Sequence, residues 1–480
     1  MTFISIQFVL FLIIALIVFY ISPVRFRWIV LLIASMAFYF IADKEALFIL
    51  LITIVISFFM AIAVYRFVNK ESRYSRLILA VSIVMVLLPL FAVKEGNFIL
   101  SGFKLNEINF IVPLGISFYT LQIISYFVDV YRKEIVPEKN IFRYALYISY
   151  FPQIIQGPIP RFAQMEEQLK VKKALDEKTF IKGFQLILWG CFLKLMIADK
   201  AGVIVDTVFN NPDMYKGVYV LVAGTLYSIQ LYTDFMACVC IAKGVSELFG
   251  ISLADNFNHP YFSQSISEFW RRWHISLSSW LKDYIYIPLG GNRKGNLRRY
   301  VNLVIVFVVS GMWHGSGYKY IFWGLMHAGY SIIGSVTKPA RNKIYGALKL
   351  KENDWAVKIF RTAFTFICVM FAWIIFRADS LRGGIDMLIS VFTTYNPWVL
   401  FDDSLLSLGL GWKEWVVLLA SIIILVMTSL NQKKYCIRDK ILEQNVVTRG
   451  LIYLAVIMLI VVFGTYGYGF EAGDFIYGGF

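Results

Sequence analysis

Apolar stretches follow one another along the whole chain, separated by short polar loops. Their cores run Phe3 to Ile21, Trp28 to Ile41, Leu47 to Val68, Leu77 to Val93, Ile108 to Val128, Phe180 to Ile197, Val218 to Leu248, Tyr300 to Trp313, Tyr320 to Val336, Ile359 to Phe376, Trp415 to Leu430 and Leu451 to Phe463. Many approach the roughly 17 to 25 residues that carry a helix across a bilayer, and the shorter ones need flanking residues to span. A membrane barrel would alternate apolar and polar positions, and these runs are continuous. The pattern predicts an all-α polytopic membrane protein. No linker, repeat or low-complexity tract sets off a second domain, so residues 1–480 are expected to form a single one.

Three segments depart from simple alternation. Tyr144 to Ile159 is apolar but contains Pro152, Gly157 and Pro158, with Pro160 just beyond and basic residues on both flanks. Proline deprives a helix of a hydrogen bond, and such backbone is tolerated at depth only where protein re-satisfies it. A broken or re-entrant segment is therefore expected. Arg161 to Lys178 mixes charges and reads as a cytoplasmic amphipathic piece. Ser265 to Ile287 sets aromatic and apolar positions at helical spacing against Glu268, Arg271, Arg272, Lys282 and Asp283, which suits an interfacial helix.

Loop charge gives the orientation. Arg25 and Arg27 follow the first run, Arg66, Lys70, Arg73 and Arg76 the third, and Arg132, Lys133, Lys139 and Arg143 the fifth. Alternate loops such as Ala42 to Glu45 carry little positive excess, so the amino terminus is expected outside and the basic loops in the cytoplasm. Nothing basic precedes the first run and no small-residue cleavage site closes it, which predicts a retained span.

Composition fits this picture: 59% of the 480 residues are hydrophobic and 17% aromatic, with Trp and Tyr suited to membrane interfaces. The net charge of +15 lies in short loops, where it reads as topology and contact with anionic membrane lipids and not as nucleic-acid binding. The five cysteines, Cys191, Cys238, Cys240, Cys368 and Cys436, form no disulfide framework and no zinc pattern.

Candidate chemistry gathers between Ser267 and His327, which holds three of the four histidines. His314 closes an apolar run, and an ionisable side chain at membrane depth marks function by default. Ser310 lies one helical turn before it and shares its face. A neutral imidazole there can take a proton from a hydroxyl and return it to a leaving group; the alternative is a packed histidine at an aromatic interface. His274 either assists at the site or is one more polar residue of an interfacial helix. His327 and His259 read as structural. Asp234, inside a span, is expected to pair with an arginine or a backbone donor, while Asp129 and Asp199 stand at span ends where water is closer. Arg271, Arg272, Lys282, Arg293, Lys294, Arg298 and Arg299 can hold phosphates of a donor such as coenzyme A, or touch lipid headgroups. No Gly-x-Ser-x-Gly elbow, His-Glu-x-x-His pair, P-loop or dinucleotide fingerprint is present, and no metal is expected.

These residues resemble the membrane-bound O-acyltransferase family. The likeness rests on Trp270 to Trp280 and Met312 to Gly315, and on Pro113 to Thr120, Phe151 to Gln153 with Gln156 to Ile159 and Arg161, Tyr284 to Asn292, and Phe376 to Ala378. It spans about residues 108–378. Within the family the chain is similar to the bacterial branch of alginate O-acetylation, and next to D-alanine transfer to teichoic acids. The resemblance implies a ring of tilted transmembrane helices around a central funnel, with re-entrant and interfacial helices. It also implies His314 as the essential histidine and His274 as its companion, with Trp313, Ser310, Arg271, Arg272 and Asp234 shaping the substrate site. The implied reaction takes acetyl from cytoplasmic acetyl-CoA, with no bound cofactor, toward a cell-surface polysaccharide acceptor, helped by an extracytoplasmic acetyltransferase partner. D-alanyl transfer from a carrier protein is the rival within the family. A non-enzymatic exporter is the rival outside it, although paired broken spans expected of one are missing. One block departs: relatives continue Asp-Phe with Ser-Gly-Tyr-Ser-Asp, whereas Asp234-Phe235 is followed by Met-Ala-Cys-Val-Cys, putting Cys240 where the second acid stands.

Overall fold

The computed structural model describes residues 2–106, 108, 110–170, 176–432 and 434–466, among which no strand occurs. In chain order the helices are α1 (Ile6–Ile21), α2 (Arg27–Ala42), α3 (Lys44–Asn69), α4 (Ser75–Gly102), α5 (Ile116–Tyr131), α6 (Ile141–Ser149), α7 (Phe151–Ile154), α8 (Phe162–Leu169), α9 (Glu177–Phe192), α10 (Asp199–Phe209), α11 (Val218–Leu248), α12 (Ile266–Arg272), α13 (Ile275–Leu281), α14 (Gly295–His314), α15 (Tyr318–Val336), α16 (Lys338–Ala347), α17 (Trp355–Arg377), α18 (Leu381–Thr393), α19 (Trp412–Gln432), α20 (Ile437–Leu442) and α21 (Val446–Phe463). A π-helical turn, Leu193–Ala198, joins α9 to α10 without a break.

Eight stretches among the described residues are long and apolar enough to cross a bilayer: Val24–Ala42, Lys44–Asn69, Ser75–Gly102, Glu177–Phe209, Val218–Leu248, Trp355–Arg377, Trp412–Gln432 and Val446–Phe463. The protein is thus all-α and polytopic, as the apolar pattern predicts. Burial sorts the spans. In Val218–Leu248 78% of the apolar window is buried, against 6% in Val446–Phe463. Accordingly α11 runs through protein while α21 presents its sides to lipid. Helices α14 and α15 are of similar length, 20 and 19 residues, but carry Asn302, His314 and His327 as buried polar groups.

The contacts divide the chain into two compact units, formed by the described residues of 1–190 with 238–255 and of 191–237 with 256–473. In the first unit Phe38 packs against Phe8, Phe11 and Phe151, with ring centroids 6.1, 5.8 and 5.8 Å away. Helix α9 crosses the carboxyl-terminal part of α11 at two glycines. A Cβ on Gly183 would lie 2.6 Å from the Gly244 carbonyl oxygen, and one on Gly244 2.5 Å from that of Gly183, so no larger residue permits this approach.

The apolar run Ile108 to Val128 differs from expectation at its start. Helix begins only at Ile116, because Pro113 and Gly115 (φ 72°) turn the chain, and a Cβ on Gly115 would fall 2.1 Å from the Ile154 carbonyl oxygen. The break expected in Tyr144 to Ile159 is present: α6 stops at Ser149 and α7 starts at Phe151. Side chains repair the interrupted ladder. The Phe151 N–H donates to Ser35 Oγ at 3.1 Å, and Gln122 Nε2 donates to the Tyr147 carbonyl at 2.7 Å.

Candidate active site

In the second unit α14 and α15 form a hairpin whose backbones nearly touch. A Cβ on Gly311 would lie 2.2 Å from the Tyr320 carbonyl oxygen, and one on Gly324 2.3 Å from that of Phe307. Glycine at each crossing removes the side chain that would hold the helices apart. This approach places His314, the last residue of α14, among the large side chains of α15 and α17. Its ring meets Trp313, Trp323 and Phe376 edge to face at centroid distances of 4.9, 5.2 and 5.4 Å. His314 is 3% exposed.

His274 reaches the same neighbourhood by a different route. One interfacial helix was expected over Ser265 to Ile287; instead α12 ends at Arg272, and His274 takes a left-handed conformation (φ 43°, ψ 55°) at the start of α13. Asn256 holds this break at two points. Its carbonyl accepts from the Ile275 N–H at 2.9 Å, and its Oδ1 accepts from the Ser276 N–H at 3.0 Å. A left-handed non-glycine residue stores strain that its surroundings must offset. The result is an imidazole with no solvent exposure, 4.8 Å from the Phe235 ring and 5.9 Å from the Trp313 ring. Burial lowers the proton affinity of His274 and keeps it neutral. Trp313 therefore touches both histidines.

A charged cluster adjoins this region along α11. Lys194 Nζ lies 2.7 Å from Asp234 Oδ1 and 2.9 Å from Asp199 Oδ1, and all three side chains are buried. Asp234 precedes Phe235, the residue that packs on His274. The expected partner of Asp234 was an arginine or a backbone donor, and the structure supplies a lysine. Asp199, expected near water at a span end, is instead 9% exposed and ion-paired. The π-helical turn explains the pairing. Its hydrogen bond from the Asp199 N–H to the Lys194 carbonyl spans five residues, bringing onto one side two positions that an ordinary α-helix would separate by about 140°.

The other sequence candidates scatter. Ser310 is 2% exposed, and its hydroxyl makes no hydrogen bond among the described residues. Arg272 forms an ion pair with Glu268 of its own helix at 2.6 Å, and Arg271 is exposed. In the basic loop Arg299 donates to Ser335 Oγ at 2.6 Å, while Arg293, Lys294 and Arg298 are exposed. Cys240 is buried. Two contributors escaped sequence reasoning. Lys194 was legible as a lysine inside an apolar run, but Asn256 lies in an ordinary polar loop and gives no signal.

A helical membrane protein with a buried histidine at a helix end and a second beside it has the features of a membrane acyl-transfer enzyme. The family model of the membrane-bound O-acyltransferases matches residues 131–376, and the chain belongs to that family. It is 34% identical over 393 residues to the probable alginate O-acetylase AlgI of Azotobacter vinelandii, covering 80% of this chain and 76% of the relative. It is likewise 34% identical over 393 residues to the peptidoglycan O-acetyltransferase of Helicobacter pylori, covering 75% and 72%. The teichoic acid D-alanyltransferase of Streptococcus thermophilus is 28% identical over 333 residues, covering 64% and 77%. The protein is a multi-pass membrane O-acyltransferase whose similarity favours acetyl over D-alanyl transfer.

Proposed function

We propose that the protein takes an acetyl group from a cytoplasmic thioester, acetyl-CoA, and moves it outward for O-acetylation of a cell-surface polysaccharide. His314 is the general base. Its neutral ring accepts the acceptor hydroxyl's proton as that oxygen attacks the thioester carbonyl. Collapse of the tetrahedral species breaks the carbon–sulfur bond, and the departing thiolate takes the proton back from the imidazolium. His274 and Trp313 position that ring, and the basic loop meets donor phosphates or anionic headgroups. An extracytoplasmic acetyltransferase receives the group where the acceptor lies beyond reach.

The observation that carries this reading is the burial of His314 among three aromatic rings, one of which, Trp313, also meets the buried His274. Burial keeps bulk water from that ring, so the acceptor hydroxyl competes well with water for the thioester carbonyl. The test is His314→Ala in cells and membranes supplied with labelled acetyl-CoA. Polymer acetylation should vanish while protein abundance holds; full retained acetylation overturns the mechanism. Supplying a D-alanyl carrier protein in parallel separates the two donors. Polymer that reaches the surface unacylated in a deletion strain supports transfer, whereas polymer trapped inside supports export.

A further inference from the structure

His327 on α15 was expected to be structural, yet its surroundings are those of a working hydrogen-bond donor. Trp270 on α12 donates its indole Nε1–H to His327 Nδ1 at 3.2 Å. Indole nitrogen only donates, so the imidazole nitrogen it meets carries no proton. The ring is therefore neutral, with its hydrogen on Nε2. His327 has no solvent exposure, and no group among the described residues accepts from Nε2. A buried donor left in that state is disfavoured, and each such group in a folded protein calls for a cause.

The unmet donor has company. Trp323 packs its ring 4.9 Å from His327 and 5.2 Å from His314, so one indole touches both imidazoles. Its own Nε1–H, and the Ser310 hydroxyl one turn before His314, are buried and make no hydrogen bond among the described residues. Phe307, on the same face of α14 as Ser310 and His314, stacks on His327 at 6.0 Å. Three buried polar groups without partners among the described residues, set between aromatic rings, suit a slender apolar ligand bearing carbonyl oxygens. An acyl-pantetheine arm has that chemistry, with a thioester carbonyl and two amide carbonyls along a thin chain. Coenzyme A and a carrier protein present the same arm.

Resting on the acyl-transfer reading above, we propose that His327 is a third histidine of the site, whose Nε2–H donates to a carbonyl oxygen of the donor's acyl-pantetheine arm. Trp270 is the positioning residue that fixes the required tautomer. No bond to His327 forms or breaks.

Initial rates on membranes carrying the full-length protein test this, with acetyl-CoA in one arm and a D-alanyl carrier protein in the other. His327→Ala should raise KM for the donor used by roughly tenfold, the size expected for one lost hydrogen bond, with KM for the polysaccharide unchanged. His327→Gln, which places an N–H near the former Nε2, should restore most of that loss, and Trp270→Phe should fall between. An unchanged donor KM in His327→Ala overturns the proposal and leaves at most a bound water on Nε2. So does a failure of glutamine to rescue while both variants melt at lower temperature in detergent, which marks packing alone. His314→Ala run alongside keeps the readings apart: if it is inactive and His327→Ala is normal, only the role of His327 falls.

Discussion

Around Lys194 the buried polar groups are held by ion pairs, whereas around His314 they are enclosed by indole and phenyl rings. The first arrangement matches an ammonium to two carboxylates at 2.7 and 2.9 Å. Both carboxylates depend on the one ammonium, since removing it strands them in a medium that cannot solvate them. The second gathers neutral heterocycles that can take or give a proton without a large rearrangement. Side by side in one unit, the two show what separates a polar group that holds helices together from one kept ready for chemistry.

Four substitutions sharpen that contrast. Lys194→Met should be the most damaging to the folded protein, at about 3 to 5 kcal/mol, seen as lost abundance and a lower melting temperature in detergent. Adding Asp234→Asn should recover part of the loss, because the same interaction disappears only once. An undiminished melting temperature in Lys194→Met would erase the distinction, since His314→Ala is expected to spare abundance. Gly324→Ala comes next. Its Cβ meets the Phe307 carbonyl oxygen at 2.3 Å, so the hairpin must open at a cost of about 1 to 3 kcal/mol, and acylation should fall with it. The smallest effect belongs to Trp313→Leu. It removes the ring contacts to both histidines, each worth about 0.5 to 1.5 kcal/mol, and should lower turnover roughly tenfold and the melting temperature by about a few degrees.

The helical, membrane-embedded character was legible because a span advertises itself through composition alone. The break at Tyr150 was legible for a similar local reason, the prolines and glycine that follow it. His314 stood out because ionisable groups are rare in apolar runs, and the same rule would have exposed Lys194 had basic residues been weighed like acidic ones. The left-handed turn at His274 was not legible, since Asn256 imposes it from a distant loop and histidine's modest tolerance of that conformation does not announce it. Nor was the engagement of His327 by Trp270, a pairing that depends on how α12 packs against α15. Ser310 shows the limit of helical spacing, which placed it on the face of His314 but said nothing of where its hydroxyl points.

The π-helical turn at Leu193–Ala198 amounts to one residue inserted into an otherwise regular helix. Relaxing it at its present length would turn Asp199 away from the ammonium it serves, whereas removing one residue between the two would leave them four apart on one face of an ordinary helix. A chain shortened by one there is therefore expected to keep its lysine and its acid, and the count can change where those two letters cannot.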